Sequence, residues 1–95
     1  MNGPFSVGAV TNLTTSSTAA TTSAASASKT VLVSATAAAY VAVVQGSNVA
    51  DNTAMVLPAN GTVYISLAAG DKISALQVST AGVVSVVDVK FAAWN

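Results

Sequence analysis

The side chains able to do acid–base or nucleophilic chemistry are few. Lys29, Asp51, Asp71, Lys72, Asp88 and Lys90 form the whole ionic inventory, and the chain has no His, Cys, Arg or Glu. Ser28 beside Lys29 is a formal Ser/Lys pair, but neighbouring strand residues point to opposite faces and would not meet. Asp51-Asn52-Thr53 offers oxygens to Ca²⁺, yet such a site needs about six or more ligands with several carboxylates. It reads as a polar turn, and Asp71-Lys72 as a solvated one. Asp88 and Lys90 share a strand face and can pair with each other or with another chain. Without Cys there is neither a disulfide framework nor a thiolate zinc site. No catalytic residue, metal ligand or cofactor site is expected. Three aromatic side chains, Tyr40, Tyr64 and Trp94, are instead candidates for contact. A Trp near the end of the sequence reads as a docking residue, because an exposed indole forfeits much hydrophobic gain.

The same scarcity bears on partners. Six charged side chains summing to zero in 95 residues provide no basic surface for a phosphate backbone, which argues against nucleic acid. Small soluble domains usually carry about 25–35% charged surface residues and a net charge away from zero. Here 53% of residues are hydrophobic and 6% charged, and Ser, Thr, Asn and Gln supply the polarity. These groups cost little to desolvate when a partner offers hydrogen bonds. The surface is therefore expected to be covered by other chains, as a homo-oligomer or within a larger assembly. The longest apolar run, Ala35 to Val44, is broken by Thr36, so no span of about 20 apolar residues is expected. The N-terminal Met1-Asn2-Gly3-Pro4-Phe5 lacks the basic n-region of a signal peptide.

The elements that position these residues read as strands. Phe5 to Val10 is a short strand after Pro4. From Thr11 to Ser28 only Thr, Asn, Leu, Ser and Ala occur, with Leu13 the sole large apolar side chain. That composition cannot fold alone. Residues 1–28 are expected to form an extended N-terminal arm or linker, and residues 29–95 the folded domain. Phe5, Val7 and Val10, with Leu13, would anchor the arm on a neighbouring subunit by strand addition.

Beyond Lys29, Val, Ile, Thr and Tyr dominate, with Gly, Pro, Asn and Asp as punctuation. Strands are expected over Thr30–Ser34, Ala38–Gln45, Ala54–Leu57, Thr62–Leu67, Lys72–Ser79 and Val83–Phe91. Pro58-Ala59-Asn60-Gly61, Gly70-Asp71 and Ala81-Gly82 are turns. Val63, Ile65 and Leu67 alternate with Thr62, Tyr64 and Ser66, the period of a half-buried strand. Ile73 and Leu76 break that period, which predicts a bulge or bend. Val83, Val87, Val89 and Phe91 fall on one face of the last strand, Asp88 and Lys90 on the other. The fold class is all-β: a small antiparallel β-sandwich or barrel of six to seven short strands. Lys72 and Lys90 are candidates for edge protection.

With the strands placed, Ala37 to Val89 resembles small structural proteins of tailed bacteriophages. The matching residues are Asp51, Asn52, Thr53, Met55, Leu57, Pro58, Ala59 and Asn60, then a "-VYI-L--GDKI-ALQ" hairpin with Gly70, Asp71, Lys72, Ile73, Ala75, Leu76 and Gln77. The resemblance covers a little over half the chain and does not include Thr11 to Ser28. It implies a β-sandwich that oligomerises, often as a trimer, on a capsid surface, as capsid decoration (cement) proteins do. The expected function is a virion structural protein that stabilises the phage head by bridging major capsid protein subunits. Such a protein would be made in the bacterial host cytoplasm. The alternatives are a tail, neck or fibre component, such as a module binding host-surface glycans through Tyr40, Tyr64 or Trp94. An enzyme and an ice-binding Thr/Ala surface rank below both.

Overall fold

Val, Ile and Thr favour extended backbone because their branched Cβ packs well on a pleated surface. In this chain they come in runs short enough to be separate strands. The computed structural model describes residues 5–91, with side chains for residues 8–89. Eight strands follow in chain order: β1 (Phe5–Thr14), β2 (Ala20–Thr21), β3 (Lys29–Ala35), β4 (Ala39–Val44), β5 (Met55–Leu57), β6 (Thr62–Leu67), β7 (Lys72–Gln77) and β8 (Val83–Phe91). They form two four-stranded sheets, β1-β8-β3-β6 and β2-β7-β4-β5, called here sheet 1 and sheet 2. Every pairing is antiparallel. The architecture is the all-β sandwich that the alternating pattern predicts.

The core lies between the sheets and is built from small and branched side chains. Val31, Val33, Val84, Val41 and Ile73 are fully buried, with Ala35, Ala39, Ala75, Leu57 and Leu67 around them. None of the core residues in the cluster is aromatic. Both tyrosines lie outside it. Val and Ala let the sheets approach closely, and the molecule is only 18 Å across in its thinnest direction, close to two sheets about 10 Å apart plus their outer side chains.

The first 28 residues depart most from the sequence reading. Described residues of this segment are built into both sheets and form no separate arm. β1 runs ten residues, four beyond the expected strand, and pairs with β8 down to Thr14↔Val83. Leu13 is 7% exposed and belongs to the core cluster, as does Ala25, so Leu13 is a packing residue of its own domain and not an exposed anchor. Thr15 is buried and clasps the turn before β8. Its backbone N–H donates to the Gly82 carbonyl at 2.8 Å, and its hydroxyl accepts the Gly82 N–H at 2.8 Å. Gly82 has no room for more: a Cβ there would lie 2.8 Å from the Ala37 Cβ and the Thr36 Oγ1. β2 then adds to β7, with the Thr21 hydroxyl donating to the buried Ser74 Oγ at 3.0 Å. The Ser/Thr groups that disfavour an isolated strand here find backbone and hydroxyl partners across the fold.

Three further expectations are corrected. β6 and β7 are not a hairpin: the Gly70-Asp71 turn carries the chain from sheet 1 to sheet 2. β7 has no bulge, since its pairing with β4 runs in step from Lys72 to Gln77. Ile73 simply faces the core and Leu76 the outside. The irregularity lies in β1, between Val7 and Val10. Lys72 and Lys90 sit on β7 and β8, which are flanked by strands on both sides, so neither protects an edge. The Pro58–Gly61 turn does form, with Gly61 N–H donating to the Pro58 carbonyl at 2.9 Å and Asn60 at φ 61°, a conformation Asn tolerates.

The placement of Leu13 has a measurable consequence. Leu13→Ala should lower the unfolding free energy of the isolated chain by about 2–5 kcal/mol, the usual cost of a buried Leu truncation. A denaturant melt reads this directly. An unchanged midpoint would return Leu13 to an exposed arm.

Candidate functional site

Side chains opposite one another across antiparallel strands share a face, so the register maps what each sheet presents outward. On sheet 1 the pairs Val10↔Val87, Leu32↔Val87 and Leu32↔Tyr64 form one apolar row across all four strands. Neighbouring strands lie about 4.8 Å apart, so the row spans about 14 Å. Val10 is 57% and Tyr64 52% exposed, while Leu32 and Val87 are half-buried. On one side a polar row follows, Asn12, Ser85, Ser34 and Thr62, in which the Ser85 hydroxyl donates to Asn12 Oδ1 at 2.8 Å. On the other side lie Val89, Thr30 and Ser66. Val89 is buried yet outside the core cluster. Among the described residues of these rows there is no charged side chain.

Sheet 2 carries a shorter counterpart, Val56↔Tyr40↔Leu76, with Val56 52% exposed. Residues 45–54 are pinned over the rest of this outer face. The buried Ser74 Oγ accepts the Ala50 N–H at 2.9 Å, Lys72 Nζ donates to the Gly46 carbonyl at 2.9 Å, and Gln45 Nε2 donates to Asp71 Oδ1 at 2.7 Å. The covering segment removes Ser74 from contention as a surface.

Two of the seven expected interface residues, Val10 and Tyr64, therefore meet on one row. Tyr40 lies on the opposite side of the sandwich, so Tyr40 and Tyr64 cannot form one aromatic platform within a chain. Leu13 is in the core. Phe5 and Val7 have their backbones in β1 opposite Phe91 and Val89, but their side chains, and all of Trp94, lie outside the described residues. Leu32, Val87, Val56 and Leu76 were missed. Their signal is contiguity: Val31-Leu32-Val33 and Val86-Val87 place apolar groups on both faces of a strand, and one of those faces is not the core.

The ionic groups serve the fold. Lys29 Nζ and Asp88 Oδ1 are 3.0 Å apart with both side chains about a third exposed, a pair worth about 0–1 kcal/mol. Asp88 stands opposite Val31, on the inward side of β8. The Lys29 ammonium is thus engaged with Asp88 rather than Ser28. Asp51 accepts the Thr53 hydroxyl and, at 2.9 Å, the Thr53 N–H, closing the 51–53 turn. These bonds hold its carboxyl below the ordinary value. Asp71 is likewise lowered, first by Gln45 and then by the Ala68 N–H at 2.9 Å. Among the described residues no group of three His, Cys, Asp or Glu side chains comes together, and no helix is long and apolar enough to cross a membrane. Compared with known proteins, the chain matches no protein-family model, no curated protein and no solved structure.

A carboxyl whose folded value is depressed contributes stability above its unfolded value, and that contribution disappears as pH falls through the lowered one. With no His in the chain, the melting temperature should be flat from about pH 5 to 8 and fall below about pH 4. Circular-dichroism melts across that range check it. A step near neutrality would mean a titrating group outside this account.

Proposed function

We propose that the chain is a virion structural protein, a capsid decoration protein that stabilises a phage head by bridging major capsid protein subunits. The observation that carries this reading is the uncharged outer face of sheet 1 with its four-strand apolar row. It belongs to a sandwich whose six ionic side chains sum to zero. Such a face gains when another protein covers it, at about 25 cal/mol per Å² of apolar area removed from water. A standard interface of about 1,600 Å² would hold one copy, and contact with two or more subunits would multiply retention through effective concentration. The resemblance of Ala37 to Val89 to phage structural proteins agrees in kind. On this reading the protein has no catalytic role and no cofactor, and its place is the capsid surface.

The alternative is a tail, neck or fibre component with Tyr64 as an exposed aromatic contact for a glycan. It requires Tyr64 to act without Tyr40, which faces the other way.

Retention should depend on apolar contact and little on salt, since exposed charges are screened within about 10 Å at 0.1 M and about 3 Å at 1 M. Particles carrying the protein should keep it when washed from about 0.1 to 1 M NaCl. Leu32→Asp and Val87→Asp, with folding checked by circular dichroism, should leave the particles undecorated and more heat-sensitive. Shedding of the wild-type protein at moderate salt would sink the cement role. Loss of host adsorption by Tyr64→Ala, with particle stability intact, would favour the alternative.

A further inference from the structure

A sheet edge presents unpaired backbone groups, and the length of regular strand along it sets how much pairing it can offer. In sheet 2 the edges β2 and β5 have two and three residues. In sheet 1 the edge strand β1 has ten. Its irregularity between Val7 and Val10 bends the strand and leaves one regular run, Val10–Thr14, in unbroken register with β8 from Val87 to Val83. That run contains no charge and no proline, so within it the usual side-chain protections of an edge are missing.

The hydrogen-bond phase shows which groups the run offers. Thr15 N–H donates to the Gly82 carbonyl at 2.8 Å. Val83, opposite Thr14, turns the other way: its carbonyl accepts the Thr36 N–H and its N–H donates to the Thr36 hydroxyl, both at 2.9 Å. In an antiparallel ladder these directions alternate residue by residue. Thr11 and Leu13 therefore direct their backbone groups to β8, and Val10, Asn12 and Thr14 direct theirs away from the sheet. Those three residues are exposed, and among the described residues no strand pairs with that side of the run.

We infer that Val10–Thr14 pairs antiparallel with the same run of a second copy, about a two-fold axis through Asn12. Two edges continue one sheet only if opposed residues share a face, so the axis must pass through a residue. Asn12 is the middle of the run. Centring there opposes Val10 to the partner's Thr14 and makes all three outward-directed positions hydrogen-bonded, about six bonds in all. An axis through Thr11 would set the run against the irregularity, and one through Leu13 would carry Val10 past the end of the strand. The Asn12 axis also brings two side-chain amides together on the outer face. Asn12 Oδ1 accepts the Ser85 hydroxyl at 2.8 Å; its second lone pair can take the amide N–H of the partner's Asn12, and the reverse bond forms by symmetry. Around this pair Val10 meets the partner's Thr14 and Thr11 meets the partner's Leu13, neighbours that suit a pleated surface. No like charges meet, because the run has none. One edge pairing sits at the small end of interface sizes, below about 1,200 Å², so the dimer dissociates on dilution. The pairing needs no capsid and is tested on the purified chain.

Sedimentation velocity from low concentration to about 1 mM, the range in which such contacts saturate, should show a monomer–dimer equilibrium. Positions 10, 12 and 14 are exposed, and circular dichroism checks that each variant folds. Asn12→Cys should form a covalent dimer under mild oxidation, because hydrogen-bonded opposites have Cα atoms about 5.5 Å apart. Thr14→Cys should not, since the two copies of position 14 lie more than about 13 Å apart in this register. A mixture of Val10→Cys and Thr14→Cys chains should cross-link one to the other. Val10→Lys with Thr14→Lys opposes like charges and should weaken association at least about tenfold. Val10→Lys with Thr14→Asp opposes unlike charges and should restore it. A monomer throughout, a trimer, or cross-linking of Thr14→Cys as fast as Asn12→Cys overturns the pairing.

Discussion

Strand β8 is the interaction on which the rest of the molecule depends. It is paired on both sides, by Phe5–Thr14 and by Lys29–Ala35. A backbone polar group buried without a partner costs as much as a lost hydrogen bond. The last strand of the chain is therefore complete only when the first one lies against it. Thr15 and Gly82, 67 positions apart in sequence, lock the end of that pairing. Closure between distant segments must be reached before its contacts repay the loop entropy, which places this fold among the slower topologies.

The composition of the core decides what remains outside. Val, Ala, Leu and Ile fill the space between the sheets, and neither tyrosine is used there. A thin core of aliphatic side chains leaves both tyrosines outside it. Polar satisfaction follows the same economy: no buried side-chain nitrogen or oxygen among the described residues lacks a partner, and hydroxyls such as Thr15, Thr21 and Ser74 do the pairing that charged groups do elsewhere. Among the described ions, Asp51 and Asp71 sit in turns, Lys72 reaches the Gly46 carbonyl from the start of β7, and Lys29 forms a partly exposed pair with Asp88.

Much of the fold was legible because period-two alternation is a local signal. The strands Thr62–Leu67 and Val83–Phe91 could be read residue by residue, and so could the turns at Pro58–Gly61 and Gly70–Asp71. The segment from Thr11 to Ser28 was not legible, because Ser, Thr and Ala have no preference strong enough to announce a strand. Their order comes from bonds to β7, β8 and the Gly82 turn. The face assignment of β7 failed for a related reason. Ile73 and Leu76 mark opposite sides of a regular strand, and a pattern of apolar residues cannot separate a bulge from a strand that is apolar on both faces. The candidate surface was half legible. Val10 and Tyr64 were singled out, whereas their companions Leu32 and Val87 were not.

By itself the sequence determined the secondary-structure class, the turns and the poverty of charge, because each depends on residue type and near neighbours. It also determined that His, Cys, Arg and Glu are absent and that the six ionic side chains sum to zero. The tertiary structure alone decided which strands became neighbours and which face of each strand looked outward. Those properties arise from pairing between segments far apart in the chain. A residue-by-residue pattern is the same whichever partner the strand finds, so only the assembled sheets could place Val10, Val87, Leu32 and Tyr64 in one row.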